Sequence, residues 1–244
     1  MPLFPGAFAS AEESIGSIAS IEDFPSLAQV EIRVGLTWVQ QCAASVLTNR
    51  HVLTTASCYR GTEVPEYSSR IRAGTSDRGL GGIVASVQDT IVHPSYGLLG
   101  SEADLAVVRL DVYLTLGTLV QQVAILGQGI ELPEGLIVKL AGWGTTVQGG
   151  ESSNDNLYSL DLTVHNNENC MEQYIGNQII TENMVCVGLN YINGRDFDSK
   201  DLGAPLYYEN TLIGMLAFGE QASDQLPLIV LATGTLSSVP VVVF

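Results

Sequence analysis

Short apolar runs separated by turn residues recur along the whole chain. Val, Ile, Leu and Thr dominate these runs, and Gly, Asn, Pro and Ser lie between them, a pattern that is typical of β-strands. Ten runs stand out: LAQVEIRVGL, AASVLT, HVLTTA, RIRAGT, GGIVASVQDTIV, LAVVRL, LIVKLAGW, LYSLDLTVH, LIGMLAFG and LIVLAT. The pattern predicts an all-β protein of barrel or sandwich architecture.

One short segment favours a helix instead. It is NENCMEQYIG at 167–176, where Asn167 is a suitable N-cap and Glu168 a suitable first-turn residue. The polar stretch QGGESSNDN at 148–156 predicts an exposed loop. The sequence has no internal repeat of fixed period.

Composition excludes several classes of protein. The chain has 244 residues, of which 46% are hydrophobic and 15% charged, and a chain this apolar can bury a core that offsets the entropy of ordering. Its length fits one large or two small domains. The formal net charge of −16 disfavours binding to nucleic acid or to an anionic membrane surface, because both carry negative charge.

Neither end of the chain predicts a membrane segment. The most apolar stretch, at 225–244, is interrupted by Pro227, Gly234 and Pro240, so it is too broken to span a bilayer. The first fourteen residues contain no basic region followed by an apolar run, so we expect no recognisable secretion signal there.

The four cysteines fall into two pairs with the same interval of 16 residues, Cys42 with Cys58 and Cys170 with Cys186. Four cysteines allow three disulfide connectivities. The three histidines do not cluster with them in sequence, which disfavours a zinc site. We therefore expect disulfides, an oxidising compartment and no metal.

Five segments together resemble successive landmarks of the trypsin-like serine proteases, especially the digestive trypsins of insects. The segments are CAASVLTNRHVLTTASC at 42–58, ADLAVVRL at 103–110, AGWGTTVQGG at 141–150, NMVCVG at 183–188 and NGRDFDSKDLGAPL at 193–206. They occur in the order and near the spacing of that family. The resemblance covers roughly residues 15–235.

The resemblance implies two six-stranded antiparallel β-barrels packed side by side, with few short helices. It places an N-terminal arm at 1–14, the first barrel at 15–122, the second barrel at 123–236 and an apolar tail at 237–244, all within one trypsin-like domain. It also implies Cys42–Cys58 and Cys170–Cys186 bridges. Secretion and an extracellular location follow from the same resemblance.

The catalytic positions depart from the family pattern. Protease chemistry of this type needs a hydroxyl nucleophile, an imidazole base and an orienting carboxylate. The positions equivalent to these groups hold Leu202, Ser57 and Asp104, and only Asp104 matches the family. The oxyanion-equivalent position carries Lys200 where the family has Gly, and a side chain there restricts the backbone. We therefore expect that the chain is not an enzyme.

The substrate pocket keeps one family feature. Asp196 matches the acid that gives trypsins their preference for Lys and Arg, and Phe218 and Gly219 stand in the strand that pairs with substrate. The family's usual activation cut after a basic residue is absent, because the aligned region reads Glu-Glu-Ser-Ile-Gly and the first basic residue is Arg33. Asp201 is then expected to lack the ammonium group that pairs with it in the family.

Two functions are compatible with these residues. The first is a non-catalytic protease homologue that binds a protein, as an adaptor, a protease cofactor or an inhibitor decoy. The alternative is a structural or self-assembling protein that uses its apolar termini, since the tail SSVPVVVF favours an extended strand over a helix. The expected partner is another protein or a second copy, without cofactor, nucleic acid or membrane span.

Overall fold

The computed structural model describes residues 16–59, 68–99, 102–127, 129–144, 155–176, 178–188, 201–218 and 228–232. The strands are β1 Ser17–Ile18, β2 Leu27–Val34, β3 Thr37–Val46, β4 His51–Thr54, β5 Ser69–Ala73, β6 Ile83–Val92, β7 Ala106–Leu110, β8 Ala124–Ile125, β9 Ile137–Gly142, β10 Tyr158–Val164, β11 Met184–Gly188, β12 Pro205–Tyr208, β13 Thr211–Phe218 and β14 Leu228–Ala232. A 3₁₀ turn spans Ala56–Cys58, and the helix α1 spans Asn167–Gln173.

The first half forms a closed six-stranded barrel in the order β2-β3-β4-β7-β6-β5. Alternate residues along a strand face opposite sides of a sheet, and in β2 the inward positions are the buried Ala28, Val30 and Ile32. Apolar side chains from the other strands complete this core, including Ile71 and Val108. The barrel explains why short apolar runs recur in the first half of the sequence.

The second half forms an eight-stranded sheet, and the expectation of a second closed six-stranded barrel is corrected accordingly. The sheet order is β1-β10-β11-β14-β13-β12-β9; in addition β9 pairs with β10, and β8 pairs with β13. The resemblance implied six strands in this half, and the sheet has two more because the very short strands β1 and β8 join it. The contact between β10 and β11 is only two residue pairs long, Thr163 with Gly188 and Val164 with Val187.

Each of the ten predicted apolar runs coincides with or overlaps an observed strand. Four strands were not predicted from the apolar runs: β1, β8, β11 and β12. The predicted helix is confirmed but begins one residue differently, because its N-cap is Asn166, whose side chain accepts hydrogen bonds from the backbone N–H groups of Glu168 and Asn169. The short helix packs against β11 through the buried Cys170.

The two halves share one core. A single apolar cluster contains Leu53 and Leu105 from the first barrel together with Leu140 and Leu206 from the second sheet. The halves therefore bury each other's apolar surface, which is the main stabilising contribution to such a junction.

A surface loop of the first barrel adds polar links across the junction. The buried amide of Gln29 donates to the Asp77 carbonyl at 3.0 Å and accepts from the Gly79 N–H at 2.8 Å. The indole of Trp143, which follows β9, donates to the Ser76 carbonyl at 2.7 Å. Because Gln29 lies in the first barrel and Trp143 in the second half, this loop is held from both sides.

Two disulfides, Cys42–Cys58 and Cys170–Cys186, each close a loop of the same sequence separation, 16 residues. The pairing is the one that the resemblance implied. A loop of this size contributes about 3 kcal/mol in the chain-entropy account of disulfide stabilisation. One bridge lies in each half, so each half is braced independently.

No helix in the described part of the chain is long and apolar enough to cross a membrane.

Tyr207 lies at the junction of the two halves in a cluster of hydroxyl groups. Its phenol oxygen is 2.8 Å from Ser26 Oγ and 3.4 Å from Ser45 Oγ, and its ring lies 5.7 Å from that of Phe24. Burial raises the pKa of Tyr207 to about 12, although the hydrogen bonds to Ser26 and Ser45 lower it in part. The phenol is therefore kept in its protonated form by the fold.

We expect the buried phenol to make the protein unstable at high pH. An unfolded tyrosine loses its proton near pH 10, whereas Tyr207 keeps its proton up to about pH 12 when folded. Its contribution to stability is therefore fully present below pH 10 and is lost as the pH rises from 10 to 12, by about 2–3 kcal/mol in total. Urea unfolding of the wild type and of Tyr207→Phe measures this difference. The exposed Tyr113→Phe is the control, and an equal pH slope in all three proteins would contradict the assignment.

Candidate functional site

The site predicted from the sequence lies where the two halves meet. The disulfide Cys42–Cys58 ties β3 to the 3₁₀ turn that contains Ser57. The hydroxyl of Thr54, at the end of β4, donates to the Ala43 carbonyl at 2.7 Å. These two links fix the turn against β3, so the position of Ser57 is set by buried neighbours.

Ser57 and Asp104 are brought together by the fold. The backbone N–H of Ser57 donates to Asp104 Oδ1 at 2.6 Å, and Asp104 is only 3% exposed. The Ser57 hydroxyl is buried and has no hydrogen-bond partner among the described residues. A serine hydroxyl is not a proton acceptor near neutral pH, so this pair offers a bound carboxylate beside a neutral hydroxyl.

Leu202 reaches the same junction from the second half. Its carbonyl accepts the backbone N–H of Ala43 at 2.9 Å, and its half-buried side chain packs on the core of the first barrel. The next residue, Gly203, has a φ of +75° and donates its N–H to the Leu216 carbonyl at 2.8 Å. A Cβ on Gly203 would lie 2.6 Å from Thr54 Oγ1 and closer still to the Ala43 carbonyl oxygen.

Asp201 is buried next to two glycines. It is 6% exposed, and its carboxylate packs on the backbone of Gly144, where any Cβ would overlap it. A small cavity of about 20 Å³ lies beside it, lined also by Gly142 and Tyr158. The absence of side chains at the two glycines is therefore what allows this carboxylate to be buried here.

Several predicted site residues lie outside the described residues. These are Asp196, Lys200 and Gly219. For Phe218 the structure describes only the backbone, which ends β13 and pairs with Ile229. The assignments of Asp196, Phe218 and Gly219 to a pocket and of Lys200 to the oxyanion-equivalent position stay predictions, as do those of Ser57, Asp104 and Leu202 to the triad-equivalent positions.

The structure gives His51 and His93 hydrogen-bond partners other than Ser57 and Asp104. His51 lies in β4, where its Nδ1 is 3.0 Å from Thr48 Oγ1. Burial, together with the positive charges of Arg109 and Arg50, lowers the pKa of His51. His93 is buried after β6, with its backbone N–H bonded to the Leu105 carbonyl.

Sequence reasoning missed the residues that hold this site together. Gly203 lies in a segment whose residue types predict the position of Leu202, whereas the positive φ of Gly203 and its contact with β3 depend on the fold. No group of three or more His, Cys, Asp or Glu residues that could hold a metal ion lies within the described ranges.

Comparison with known proteins identifies the family. The protein-family model described as Trypsin matches residues 15–236. The chain is 31% identical over 210 residues to "Trypsin, alkaline C" of Manduca sexta, which covers 85% of this chain and 81% of the relative. It is 29% identical over 206 residues to Achelase-1 of Lonomia achelous, which covers 83% of this chain and 94% of the relative.

Solved structures share the fold. The scabies mite inactivated protease paralogue S-D1 aligns with a TM-score of 0.78 at 21% identity, covering 91% of this chain and 93% of that chain. Neuropsin, a serine protease expressed in the limbic system of mouse brain, aligns with a TM-score of 0.77 at 23% identity, covering 91% and 96%. The chain belongs to the trypsin family.

This result corrects one prediction. The sequence-based expectation that the chain is not an enzyme is contradicted, because the family is that of trypsin and relatives at about 30% identity are named trypsins. These relationships point to an enzyme. The expectation had been based on the residue types at two positions, Ser57 and Leu202.

Proposed function

We propose that this trypsin-family protein acts by binding another protein at the junction of its two halves, as an adaptor, a protease cofactor or an inhibitor decoy. The observation that carries the proposal is the contact of the Ser57 N–H with the buried Asp104 at 2.6 Å, in a turn that is bridged to β3, the strand whose Ala43 N–H also donates to the Leu202 carbonyl. The proposal takes the surface formed by this turn and Leu202 as the place where a polypeptide binds. The proposal concerns binding. Cleavage of a peptide substrate is measured in the same experiment.

Exposed apolar side chains close to this junction support binding of a protein. In the loop between β6 and β7, Leu98 is 79% exposed and Leu99 is 43% exposed. This loop is tied to the second half because Asn183 Nδ2 donates to Glu102 Oε1 at 2.9 Å. Apolar side chains held on a fixed loop are typical anchors of a protein interface.

Two further observations agree with a secreted binding protein. Disulfides form and persist in oxidising compartments, and the chain carries two. Two solved structures of the same fold are titled inactivated protease paralogues of the scabies mite. That title describes those proteins. For this chain it is a reason to measure protein binding separately from catalytic activity.

We expect a Kunitz-type protease inhibitor to bind the purified chain, and we expect Leu202→Arg to weaken that binding at least about tenfold, or 1.4 kcal/mol. The reason is that a long charged side chain would occupy the junction where Leu202 packs. Calorimetry measures the affinity, and cleavage of the inhibitor and of a peptide substrate is followed in the same samples. Val112→Arg is the matched control, because Val112 is 50% exposed on the segment that leaves the first barrel.

Two outcomes would count against the proposal. One is that no inhibitor tested binds with a dissociation constant below about 1 mM. The other is equal weakening by Leu202→Arg and Val112→Arg, which would place the contact elsewhere. Cleavage of the bound inhibitor would assign substrate recognition, rather than decoy binding, to the same surface.

A further inference from the structure

An apolar groove lies at one end of the first barrel, away from the Ser57 site. It encloses about 390 Å³. Its lining residues are Gly74, Gly82, Ile83 and residues 115–120. Leu116 and Leu119 on its rim are 41% and 39% exposed. Among the described residues, these leucines therefore leave apolar surface of the groove exposed to water.

Two glycines allow close packing along the wall of this groove. Gly74 has a φ of +79°, and a Cβ there would lie 2.8 Å from Val120 Cγ2. Gly82 has a φ of +63°. The lining combines these glycines with the apolar side chains of Ile83, Leu116 and Leu119, a composition that suits an extended apolar segment.

The last described strand, β14, ends on the edge of β13 that also carries β8. Strand β14 runs antiparallel to β13 and ends with Ala232 opposite Gly214. Beyond Ile213, Leu212 and Thr211 of β13 are paired with β12 on one edge and with β8 on the other. Strand β8 therefore occupies the edge that a continuation of β14 would need, and a segment following Ala232 starts next to β8.

Strand β8 is the end of the segment that lines the groove. Going backward from Ala124, the chain passes through Val123, whose N–H bonds to the Val46 carbonyl, and reaches Val120 and Leu119. The twelve residues 233–244 span up to about 40 Å when extended, at about 3.3 Å per residue. A tail running back along this segment brings residues 239–244 level with the groove.

The sequence of the tail matches the chemistry of the groove. It reads Val-Pro-Val-Val-Val-Phe at 239–244. Valine favours extended backbone, and Pro240 disfavours a helix there. We propose that residues 239–244 bind in cis in the groove formed by Gly74, Gly82, Ile83 and residues 115–120. The tail of a second copy is the competing occupant, and the experiment separates the two.

Disulfide trapping tests the proposal in the full chain. Cysteines are introduced at Thr118 in the groove and at Val242 in the tail, and the control pair replaces Thr37 and Val242. Thr37 is exposed at the opposite end of β2 from the groove. We expect the 118–242 bridge within a monomer to exceed the 37–242 bridge at least tenfold, as measured by non-reducing peptide mapping. Equal yields, or bridges found only between chains, would overturn the proposal.

A second measurement does not depend on the introduced cysteines. A chain ending at Ser238 is titrated with a synthetic peptide of residues 236–244 while tryptophan fluorescence and calorimetry report binding. We expect Leu119→Asp to weaken the peptide at least tenfold and Leu36→Asp to leave it unchanged, because Leu36 is 91% exposed on the hairpin between β2 and β3. Absence of peptide binding to the shortened chain, or equal effects of the two variants, would overturn the proposal.

Discussion

Replacing Glu31 by alanine is expected to lower the free energy of unfolding by about 3–5 kcal/mol, because it leaves buried charge without its partner. The Glu31 side chain is 1% exposed and accepts from Arg70 Nε at 2.5 Å and from Arg72 Nε at 2.6 Å. Arg70 also stacks 4.2 Å above the Trp38 ring. Without the carboxylate, the Arg72 side chain, itself only 8% exposed, keeps its charge with no counterion in contact.

Urea unfolding at neutral pH measures this loss. Glu31→Gln keeps the side-chain volume but removes the charge, so we expect it to lower the free energy of unfolding by nearly as much as Glu31→Ala. The control is Asp161→Ala, since Asp161 pairs with Lys139 at 2.6 Å but both side chains are more than half exposed. Exposed pairs contribute less than about 1 kcal/mol. A Glu31→Ala protein no less stable than Asp161→Ala would show that the buried cluster contributes nothing net.

Replacing Gly203 by alanine is expected to cost about 2–5 kcal/mol and to displace Leu202. A left-handed backbone costs a residue with a Cβ about 1–2 kcal/mol, and an overpacked contact adds about 1–3 kcal/mol. Both costs apply at Gly203, whose φ is +75° and whose added Cβ would press on β3 and on Thr54 Oγ1. Because Leu202 precedes it, the same variant should weaken inhibitor binding.

Gly135 separates the two costs. Its φ is +83°, but an added Cβ would meet nothing within 4 Å, so Gly135→Ala should lose only about 1–2 kcal/mol. Thermal and urea unfolding of the two variants, together with inhibitor titration, provide the comparison. If Gly203→Ala is as stable as Gly135→Ala and binds inhibitor normally, the close packing of Gly203 on β3 has no energetic role.

The architecture was largely predictable from the sequence because its strands have one apolar face. The inward Ala28, Val30 and Ile32 of β2 alternate with polar residues, and this alternation alone indicates a strand. Strands β1 and β8 have only two residues each, too few to produce a pattern. Their pairing depends on long-range contacts, and these two strands bring the sheet of the second half to eight strands.

The candidate site was predictable only in part. The order of the landmark segments predicted Ser57, Asp104 and Leu202 as the triad-equivalent positions, and the fold brings the Ser57 turn and Asp104 into contact. The buried Glu31 was not singled out, because a charged residue at an outward strand position ordinarily faces water. It is buried here because Arg70 and Arg72 from the neighbouring strand cover it, a relationship that a single sequence does not contain.

The shared core also constrains how the chain is made. Strand β1 pairs with β10, which is synthesised some 140 residues after it, and the apolar cluster that contains Leu53 and Leu105 is completed by residues of the second half. Long-range pairings of this kind form slowly and leave nascent apolar surface uncovered. The Cys42–Cys58 bridge, by contrast, lies wholly within the early-emerging half. Oxidation of that pair before the chain is complete would tether the nascent barrel until the remaining strands are available to enclose it.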